Sequence, residues 1–511
     1  MVERPLVFID YIFCFLEFDP LYRLSRCPHS HVFQSVNKPC RQAFHQHGAL
    51  VYLNHAVINT YVRCDMTRCS FRLQTRQKLI SVTVLLLSLL GLVFQTAATA
   101  DELGCNNTHV QLSGSGTSIA VSPNHIDDTE NVQCALDVAA SMGIPTVKLQ
   151  ADTYRISSIQ VENFKGTFEG RTRTSTIIEV LDGAIGCVRM QNDGLLSAAI
   201  KFINGEPRVR FMTINAHRPC LNAGRQLSTI LHFTGGSVMA ADCDNDVIFA
   251  AVDRISVNGT SNETGPWAAI EVAPEGRQLG GCKDTLLGTF KLNRSYIENT
   301  HAGVVTNMKS GAQVDINFNE FRGNLQAVNI FDSNQNTTIT SNKIFGDNSE
   351  TASYYGIYLI NYSVNPPKST RVVVHNNEFN ISSTFARTNY AVYVKSSIDS
   401  GAVDVPNIST IISNNRFNLS GTRVYGVLGK DVSNGHVSAN RFSGSGRRAI
   451  YLNGGKPLSG WTITANNGFA DFVSDYGEDI RFYTNTNQCI VGPGQEASVD
   501  DLGTDNIILP Q

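Results

Sequence analysis

A short phrase recurs along the C-terminal half of this 511-residue chain and constrains its fold more than any other feature. Each copy has an aliphatic residue, two spacers, an Asn, one spacer and then a Phe or Ile. Copies separated by a few tens of residues are typical of a solenoid, whose repeats bury their apolar faces against one another. The Asn positions are Asn319, Asn342, Asn377, Asn415 and Asn440, and the Phe positions are Phe321, Phe379, Phe417 and Phe442.

A second phrase lies between these copies, as in YGIYL at 355–359 and YAVYV at 390–394. Both phrases alternate with a period of two and are rich in β-branched residues, which predicts strands. We therefore predict two short strands per turn in a coil of parallel β-sheet, with neighbouring coils about 4.8 Å apart. The Asn side chains are expected to stack as an internal amide ladder, and the Phe or Ile side chains to stack beside them as core.

With these phrases the chain resembles the right-handed parallel β-helix proteins of the pectin-lyase-like superfamily. A block at 127–157 strengthens the resemblance, because it predicts a helix capped by Asp127, Asp128 and Thr129 and ending at Gly143, followed by the strands TVKL and TYRI. Family members carry such a helix as a plug on the N-terminal end of the coil. We expect Val132, Ala135, Leu136 and Ala139 to form its apolar side, and a Cys105–Cys134 disulfide to tie the preceding segment to it.

The predicted fold is all-β, a single-stranded right-handed parallel β-helix with an N-terminal capping helix. The segment 66–100 reads as a secretory signal, with basic residues, an apolar run at 79–94 and a small-residue cleavage site before Asp101. The apolar run is shorter than the roughly 20 residues of a spanning helix. We interpret 1–65 as a spurious or disordered upstream extension, 101–475 as the β-helix domain, and 476–511 as a closing segment and tail. Segments 256–266 and 362–371 are expected to be loops.

The charge of the chain bears on its partners. A formal net charge of -3 and a pI near 6.5 argue against nucleic acid, which favours a basic stripe. The signal predicts a secreted or periplasmic protein with no stable membrane span after cleavage. The expected partner is a polysaccharide or a cell-surface glycan.

Alternate residues of the second phrase point away from the core, so Tyr358 is expected to face outward between Ile357 and Leu359. The same register predicts an exposed column, which could present tyrosine rings to sugars or simply coat the sheet. The column contains Glu271, Val305, Asn329, Tyr358, Tyr393, Leu428 and Tyr451, and further back His232 and Arg189. The ligand-binding candidates are Tyr358, Tyr393, Tyr451 and Asn329, with Lys395 and Asp332 on the rim.

The motifs of pectin hydrolases and alginate epimerases are absent. Glu271, His232 and Arg189 are the candidates for a base, an acid and a carboxylate clamp. Asp242, Asp244 and Asp246 alternate as calcium ligands do, but the Gly and the distal Glu of a calcium loop are missing. No cofactor is predicted, with calcium left open. The favoured function is a β-helix protein presenting a Tyr-lined face to a polysaccharide or surface partner. The alternative is a polysaccharide lyase or epimerase acting on a uronic-acid polymer.

Overall fold

The structure, a computed structural model, describes most of the chain that follows residue 103. The segments 1–65 and 66–100 lie outside the described residues, as do Arg189, Asp332, Asp242 and Asp244, and the predictions for them stay predictions. The described ranges are 104–106, 108–181, 197–216, 229–236, 246–261, 265–275, 286–309, 311–331, 336–349, 351–361, 371–396, 407–456, 458–493 and 495–510.

One α-helix, α1 (Thr129–Met142), lies in the described part of the chain and covers the first coil, as predicted. Its buried face consists of Val132, Ala135, Leu136 and Ala139 together with Asn131. The four apolar side chains belong to the same core cluster as the strands. Gly143 ends the helix in the left-handed conformation, with φ 67°. An exposed solenoid end would leave apolar core in water, and α1 prevents this.

The start of α1 is held by its neighbours. Asp128 is the N-cap residue by position, but its side chain makes no capping bond to the helix. Its carboxylate instead accepts the backbone N–H of Asn124 (2.6 Å) and of Arg155 (2.9 Å), which fastens the helix start to the adjoining strand. The predicted Cys105–Cys134 disulfide is confirmed, with the two Cα atoms 5.9 Å apart.

Three sheets run along the described part of the coil, with 15, 11 and 12 strands. The first sheet contains Val110–Leu112, Ile119–Val121, Thr146–Leu149, Thr167–Glu169, Arg208–Arg210, Val247–Asp253, Leu287–Asn293, Gln313–Asn317, Asn336–Thr340, Arg371–His375, Asn407–Ser413, Ser433–Ser438, Thr462–Thr464, Ile490–Val491 and Ile507–Ile508. The second contains Thr153–Ile156, Ile177–Val180, Thr213–Ala216, Ser256–Gly259, Tyr296–Glu298, Glu320–Arg322, Lys343–Gly346, Glu378–Ser382, Arg416–Ser420, Arg441–Gly446 and Phe472–Ser474.

The third sheet contains Ile159–Glu162, Ala198–Ile203, Thr229–Thr234, Ala268–Val272, Ala302–Thr306, Gln326–Phe331, Tyr355–Asn361, Asn389–Ser396, Val424–Lys430, Arg448–Asn453, Ile480–Phe482 and Val499–Asp501. A further small sheet pairs Leu458–Ser459 with Thr486–Asn487, and a 3-10 turn spans Phe469–Asp471. The strands pair in parallel, except for Val110–Leu112 with Ile119–Val121. Pairing continues past residue 476 in the first and third sheets.

The coil has three strands per turn, so the prediction of two is wrong. Each anchor phrase contains a corner that the sequence pattern did not reveal. Gln313–Asn317 belongs to the first sheet, Phe318 turns the chain with φ 59°, and Glu320–Arg322 belongs to the second sheet. The same left-handed corner recurs coil after coil at Phe211, Arg254, Arg294, Phe318, Ser341, Asn376, Asn414, Ala439 and Ala465. The loop expected at 256–266 is also wrong at its start, where Ser256–Gly259 is a strand.

The amide ladder lies just after this corner. The backbone N–H of Asn342 donates to Asn377 Oδ1 (2.9 Å), and the Asn377 N–H donates to Asn415 Oδ1 (2.9 Å). The side-chain Nδ2 of each Asn donates to the next Oδ1 and to a backbone carbonyl of the preceding coil, so the buried amides are satisfied. The series runs through Asn319, Asn342, Asn377, Asn415, Asn440 and Asn466, beginning at the N–H of Ser295 and ending at Gln495.

A second stack lies beside the amides in the core. Neighbouring rings of Phe379, Phe417 and Phe442 have centroids 4.8 Å apart and are nearly parallel, at 7°. Phe469 continues the stack at 5.3 Å. Apolar burial and ring stacking therefore hold each coil against the next along the whole stack.

Candidate functional site

The outer side of the third sheet brings most of the predicted site residues into one column. Strand pairing places Glu271 beside His232 and Tyr393 beside Tyr358. In coil order the column consists of Lys201, His232, Glu271, Val305, Asn329, Tyr358, Tyr393, Leu428, Tyr451 and Arg481. Lys201 occupies the place next to His232 in this register.

The expectation that this column is exposed is wrong for most of its members, whereas Tyr358 and Tyr451 are half-buried. His232, Glu271 and Asn329 are fully buried, and Tyr393 is only 7% exposed. Part of the cause is a small apolar cluster on the outer side of the sheet. It is formed by Ala268, Ala302 and Val305, against which Trp267 and Phe331 pack. The outer side of the third sheet is therefore a second packed layer.

Tyrosines fill the C-terminal part of this layer. We call Tyr355, Tyr358, Tyr390, Tyr393, Tyr425 and Tyr451 the tyrosine face. Ring centroids are 5.3 Å apart for Tyr358 and Tyr393, and 5.2 Å for Tyr355 and Tyr390, with interplanar angles of 13° and 14°. The rings also stack within one coil, with 4.7 Å between the centroids of Tyr355 and Tyr358, so their flat sides face one another in both directions. Sugar stacking needs a free ring side, so the interior rings can offer a ligand only their hydroxyl-bearing edges.

Cations close the C-terminal end of the tyrosine face. The Arg447 guanidinium lies 5.7 Å from the ring centre of Tyr425, and that of Arg448 lies 5.6 Å from the ring centre of Tyr451. Such cation–π contacts favour a ring stack over an isolated ring. Burial raises the pKa of Tyr425 to about 12, while Arg447 acts in the opposite direction. Burial also raises the pKa of Tyr390 and Tyr393, so these hydroxyls stay protonated donors at neutral pH.

Asn329 and Lys395 frame the tyrosine face. Asn329 Nδ2 donates to Gln326 Oε1, whereas the buried Asn329 Oδ1 makes no hydrogen bond. Lys395 is half-buried and lies beside Lys430 of the next coil. Its side chain therefore adds positive charge at the edge of the tyrosine face.

Charged residues fill the N-terminal part of the same layer. We call Lys201, His232, Glu271 and Glu275 the buried charge cluster. Lys201 Nζ lies 2.8 Å from Glu275 Oε1, and His232 Nδ1 lies 3.7 Å from the same oxygen. Glu271 Oε2 accepts the hydroxyl of Thr229 at 2.7 Å. A buried ion pair is costly to form, and removing one partner strongly destabilises the fold. Buried charges also cluster at functional sites, so this group is a candidate functional site as well as a structural feature.

His232 is held as a neutral imidazole. Burial lowers its pKa, and the nearby Glu275 and Glu271 only partly oppose this shift. Its Nε2 lies 3.2 Å from the carbonyl oxygen of Ala273, which assigns the proton to Nε2. Nδ1 then carries the lone pair, makes no hydrogen bond and points toward the Lys201–Glu275 pair. Nδ1 is therefore the ring atom with a lone pair for a proton, and the lowered pKa makes it a weak base.

Lys201 and Glu275 were missed at the sequence level. Lys201 is a single charge inside the strand Ala198–Ile203, whose other side chains are apolar, and that isolation was the available signal. Glu275 follows the end of its strand, where no periodicity fixes a direction. Among the described residues, no group of three or more His, Cys, Asp or Glu side chains is arranged to hold a metal ion. Within the same ranges, no helix is long and apolar enough to cross a membrane.

No protein-family model matches the chain, and no curated protein matches it. Solved structures do. The Dettilon tailspike protein is 14% identical, with 77% of this chain and 69% of that chain covered and a TM-score of 0.50. The Streptococcus pneumoniae surface adhesin PfbA is 12% identical over 76% and 90%, with a TM-score of 0.45. The Azotobacter vinelandii mannuronan C-5 epimerase AlgE4 A-module is 13% identical over 75% and 93%, with a TM-score of 0.35.

At such identities the likeness concerns the fold alone, and it agrees with the long parallel sheets described above. The chain therefore has the right-handed parallel β-helix fold that its resemblance to pectin-lyase-like proteins implies.

Proposed function

We propose that this chain is an exported β-helix protein that binds a polysaccharide along the tyrosine face. The observation that carries the proposal is the stack of tyrosine rings across four neighbouring coils, with Lys395 and Lys430 at its edge. Hydroxyl groups repeated about every 4.8 Å suit a ligand that repeats its own hydroxyls. Because the flat sides of the interior rings meet one another, binding uses hydroxyl edges and flanking cations.

The variant Tyr358→Phe/Tyr393→Phe/Tyr451→Phe tests this proposal, because it removes hydroxyls and keeps the ring stack. Binding to immobilised dextran, alginate and polygalacturonate is measured by pull-down and calorimetry. We expect at least one polymer to bind the wild type and to bind the triple variant at least fivefold more weakly. Tyr154→Phe, which removes a buried hydroxyl near the cap, is the matched control and should leave binding unchanged. Equal binding by the wild type and the triple variant contradicts the proposal.

A second candidate function is that of a lyase on an acidic polysaccharide, and the buried charge cluster favours it. In a lyase a base takes the proton from the carbon next to the sugar carboxylate, a carbon–carbon double bond forms, and the glycosidic oxygen leaves. His232 Nδ1 is the candidate base, Lys201 the cation that neutralises the carboxylate, and Glu271 a positioning group. Arg189 stays a candidate carboxylate clamp from the sequence.

The lyase activity is tested by incubating the protein with polygalacturonate and alginate, with and without calcium, and following the absorbance of the unsaturated product. Activity that His232→Gln abolishes and His375→Gln preserves supports the enzyme. His375 is a half-buried histidine of the first sheet, so its replacement controls for loss of an imidazole. No absorbance change with any polymer excludes a lyase for these substrates.

A further inference from the structure

Four arginines gather at the corner between the first and second sheets, away from the third sheet. We call Arg171, Arg173, Arg254 and Arg294 the arginine corner. Together with Thr172 and Phe211 they line an open groove. Arg173 and Arg294 also line the adjoining groove beside Tyr296 and Phe318. No carboxylate lines the first groove, and all four arginines are exposed.

The loop that carries Arg171 and Arg173 is held in place by polar contacts. The N–H of Arg171 donates to Thr176 Oγ1 at 3.0 Å, and Thr176 itself is fully buried. The hydroxyl of Thr213 donates to the carbonyl oxygen of Arg173 at 2.6 Å. The N–H of Ser175 donates to Thr172 Oγ1 at 3.1 Å. These bonds fix the backbone under both guanidinium groups before any ligand binds.

The positive charge of the corner is mostly uncompensated. Among the described residues, no carboxylate lies within ion-pair distance of Arg171, Arg173 or Arg294. Arg254 has only its chain neighbour Asp253, at 3.8 Å. In contrast, Arg210 nearby pairs with Glu169 at 2.6 Å. The corner therefore offers guanidinium groups whose hydrogen-bond donors are available to an anion.

Arg254 and Arg294 stand at positions where stability alone favours other residues. Both are left-handed corner residues, with φ 52° and 49°, and the equivalent positions in later coils include Asn376 and Asn414. Asn adopts this conformation more readily than Arg. The register places Arg254 and Arg294 in neighbouring coils, where two like charges repel by something on the order of 1 kcal/mol in water. The left-handed conformation recurs at every such corner of the coil, so it is the repulsion between two exposed arginines that stability leaves unexplained and that indicates a binding role.

We propose that the arginine corner is a binding site for an acidic polysaccharide, whose carboxylates the guanidinium groups hold in bidentate pairs. Stacked coils set Arg254 and Arg294 about 4.8 Å apart along the axis, so a polymer with a carboxylate on successive sugars can engage both. Thr172 and Thr174, both exposed, add hydroxyls for the neutral part of the ligand. This site does not depend on the tyrosine face.

Single-stranded nucleic acid fits the corner less well. Nucleic-acid grooves combine positive charge with successive open aromatic platforms on which bases stack. Here the ring of Phe211 already has the guanidinium groups of Arg210 and Arg254 at 5.1 Å and 5.4 Å.

The test uses the double variant Arg254→Asn/Arg294→Asn, which removes two charges and places at both corners a residue that suits φ near 50°. We expect wild-type protein to bind polygalacturonate with an affinity that falls as salt is raised, and the double variant to bind at least tenfold more weakly. Arg171→Gln/Arg173→Gln, which leaves the corner backbone unchanged, should give the same loss. Thermal unfolding checks that each variant is folded.

The matched control is Arg322→Gln/Arg441→Gln, which removes two exposed charges that are paired with Glu320 and Asp471. Its affinity should stay within twofold of wild type. The same arginine changes made in the triple tyrosine variant should again give a tenfold loss, which separates this site from the tyrosine face. Equal affinity of both arginine double variants and the wild type overturns the proposal. So does a loss of dextran binding in the arginine double variants equal to their loss of polygalacturonate binding, or tighter binding of a single-stranded oligonucleotide than of polygalacturonate at the same ionic strength.

Discussion

The N-terminal and C-terminal coils share one fold but fill equivalent positions differently. On the outer side of the third sheet, the N-terminal coils carry Lys201, His232 and Glu271, whereas the C-terminal coils carry Tyr358 and Tyr393. At the ladder position, the N-terminal coils have Met212, Ile255 and Ser295 where the later coils have Asn. The corner residues likewise change from Arg and Phe to Ser, Asn and Ala.

The comparison distinguishes positions whose side chains repeat from coil to coil from positions whose polar side chains have individual partners. In the C-terminal coils each amide or ring stacks on an identical neighbour, so one solution to burial is repeated. In the N-terminal coils each buried polar group has a different partner, as in the Lys201–Glu275 pair and the Glu271–Thr229 bond. Buried groups with individual partners are expensive to maintain, and such groups cluster at functional sites.

Removing one charge of the buried cluster should give the largest effect. We expect Lys201→Met to lower the free energy of unfolding by about 3–5 kcal/mol, because it leaves Glu275 buried without its cation. The double variant Lys201→Met/Glu275→Leu should recover most of the loss, since no buried charge then remains unpaired. Urea unfolding of both single variants and the double variant gives the coupling energy. Additive losses would mean that the pair is not a unit.

Breaking the amide ladder should have the next largest effect. Asn377→Ala removes the oxygen that accepts the N–H and Nδ2 of Asn342 and one of the two donors to Asn415 Oδ1, although the backbone N–H of residue 377 still bonds that oxygen. The unpaired N–H of Asn342 is buried, so the change should cost roughly 2–4 kcal/mol. Asn380→Ala is the matched control, because that half-buried amide bonds only surface side chains. We expect it to cost less than about 1 kcal/mol in the same urea titration. Similar losses for the two variants would show that the ladder is dispensable.

These two variants also mark how far the sequence predicted the fold. The repeated sequence phrases predicted the amide ladder and the strand register from Glu271 to Tyr451. They did so because equivalent side chains of neighbouring coils stack on one another in a solenoid. The corner at Phe318 could not be predicted in this way. Corner residues with positive φ are of several ordinary types, so no residue type repeats at that position in the sequence. Asn466 was missed because its phrase ends in Phe469 one residue later than usual.

The sequence predicted where the candidate site lies on the sheet, but it did not predict which residues surround it. Alternation along a strand predicted that Tyr358 and Glu271 share an outer column, but it carries no information on what lies above that column. The outer apolar cluster around Val305 and the pairing of Lys201 with Glu275 arise from residues distant in sequence. The exposure assigned to His232 and Glu271 was therefore wrong although their adjacency was foreseen.

The tyrosine stack should tolerate loss of a hydroxyl better than loss of a ring. Tyr393 contacts the rings of Tyr355, Tyr358 and Tyr390 at centroid distances of 4.8–5.7 Å. We expect Tyr393→Leu to cost about 1–2 kcal/mol and Tyr393→Phe about 0.5 kcal/mol or less. Leu428 already occupies the next place in the same column, so leucine fits there without a clash. Equal costs for the two variants would assign the stability to the hydroxyl and not to the stack.

The smallest expected effect is a loss of stability at alkaline pH that depends on Tyr425. Burial raises its pKa to about 12 in the folded protein, against about 10 in the unfolded chain. Below pH 10 the hydroxyl is protonated in both states. Between about pH 10 and 12 the unfolded chain releases the proton while the folded protein keeps it, so rising pH favours unfolding.

The unfolding free energies of the wild type and Tyr425→Phe, measured from pH 9 to 12, should therefore converge or cross by something on the order of 1 kcal/mol. The difference between the two proteins cancels the titration of every other group, because all of those groups are present in both. A Tyr425→Phe curve that runs parallel to the wild type would mean that Tyr425 ionises with equal ease in both states, and then the tyrosine face cannot be a packed layer.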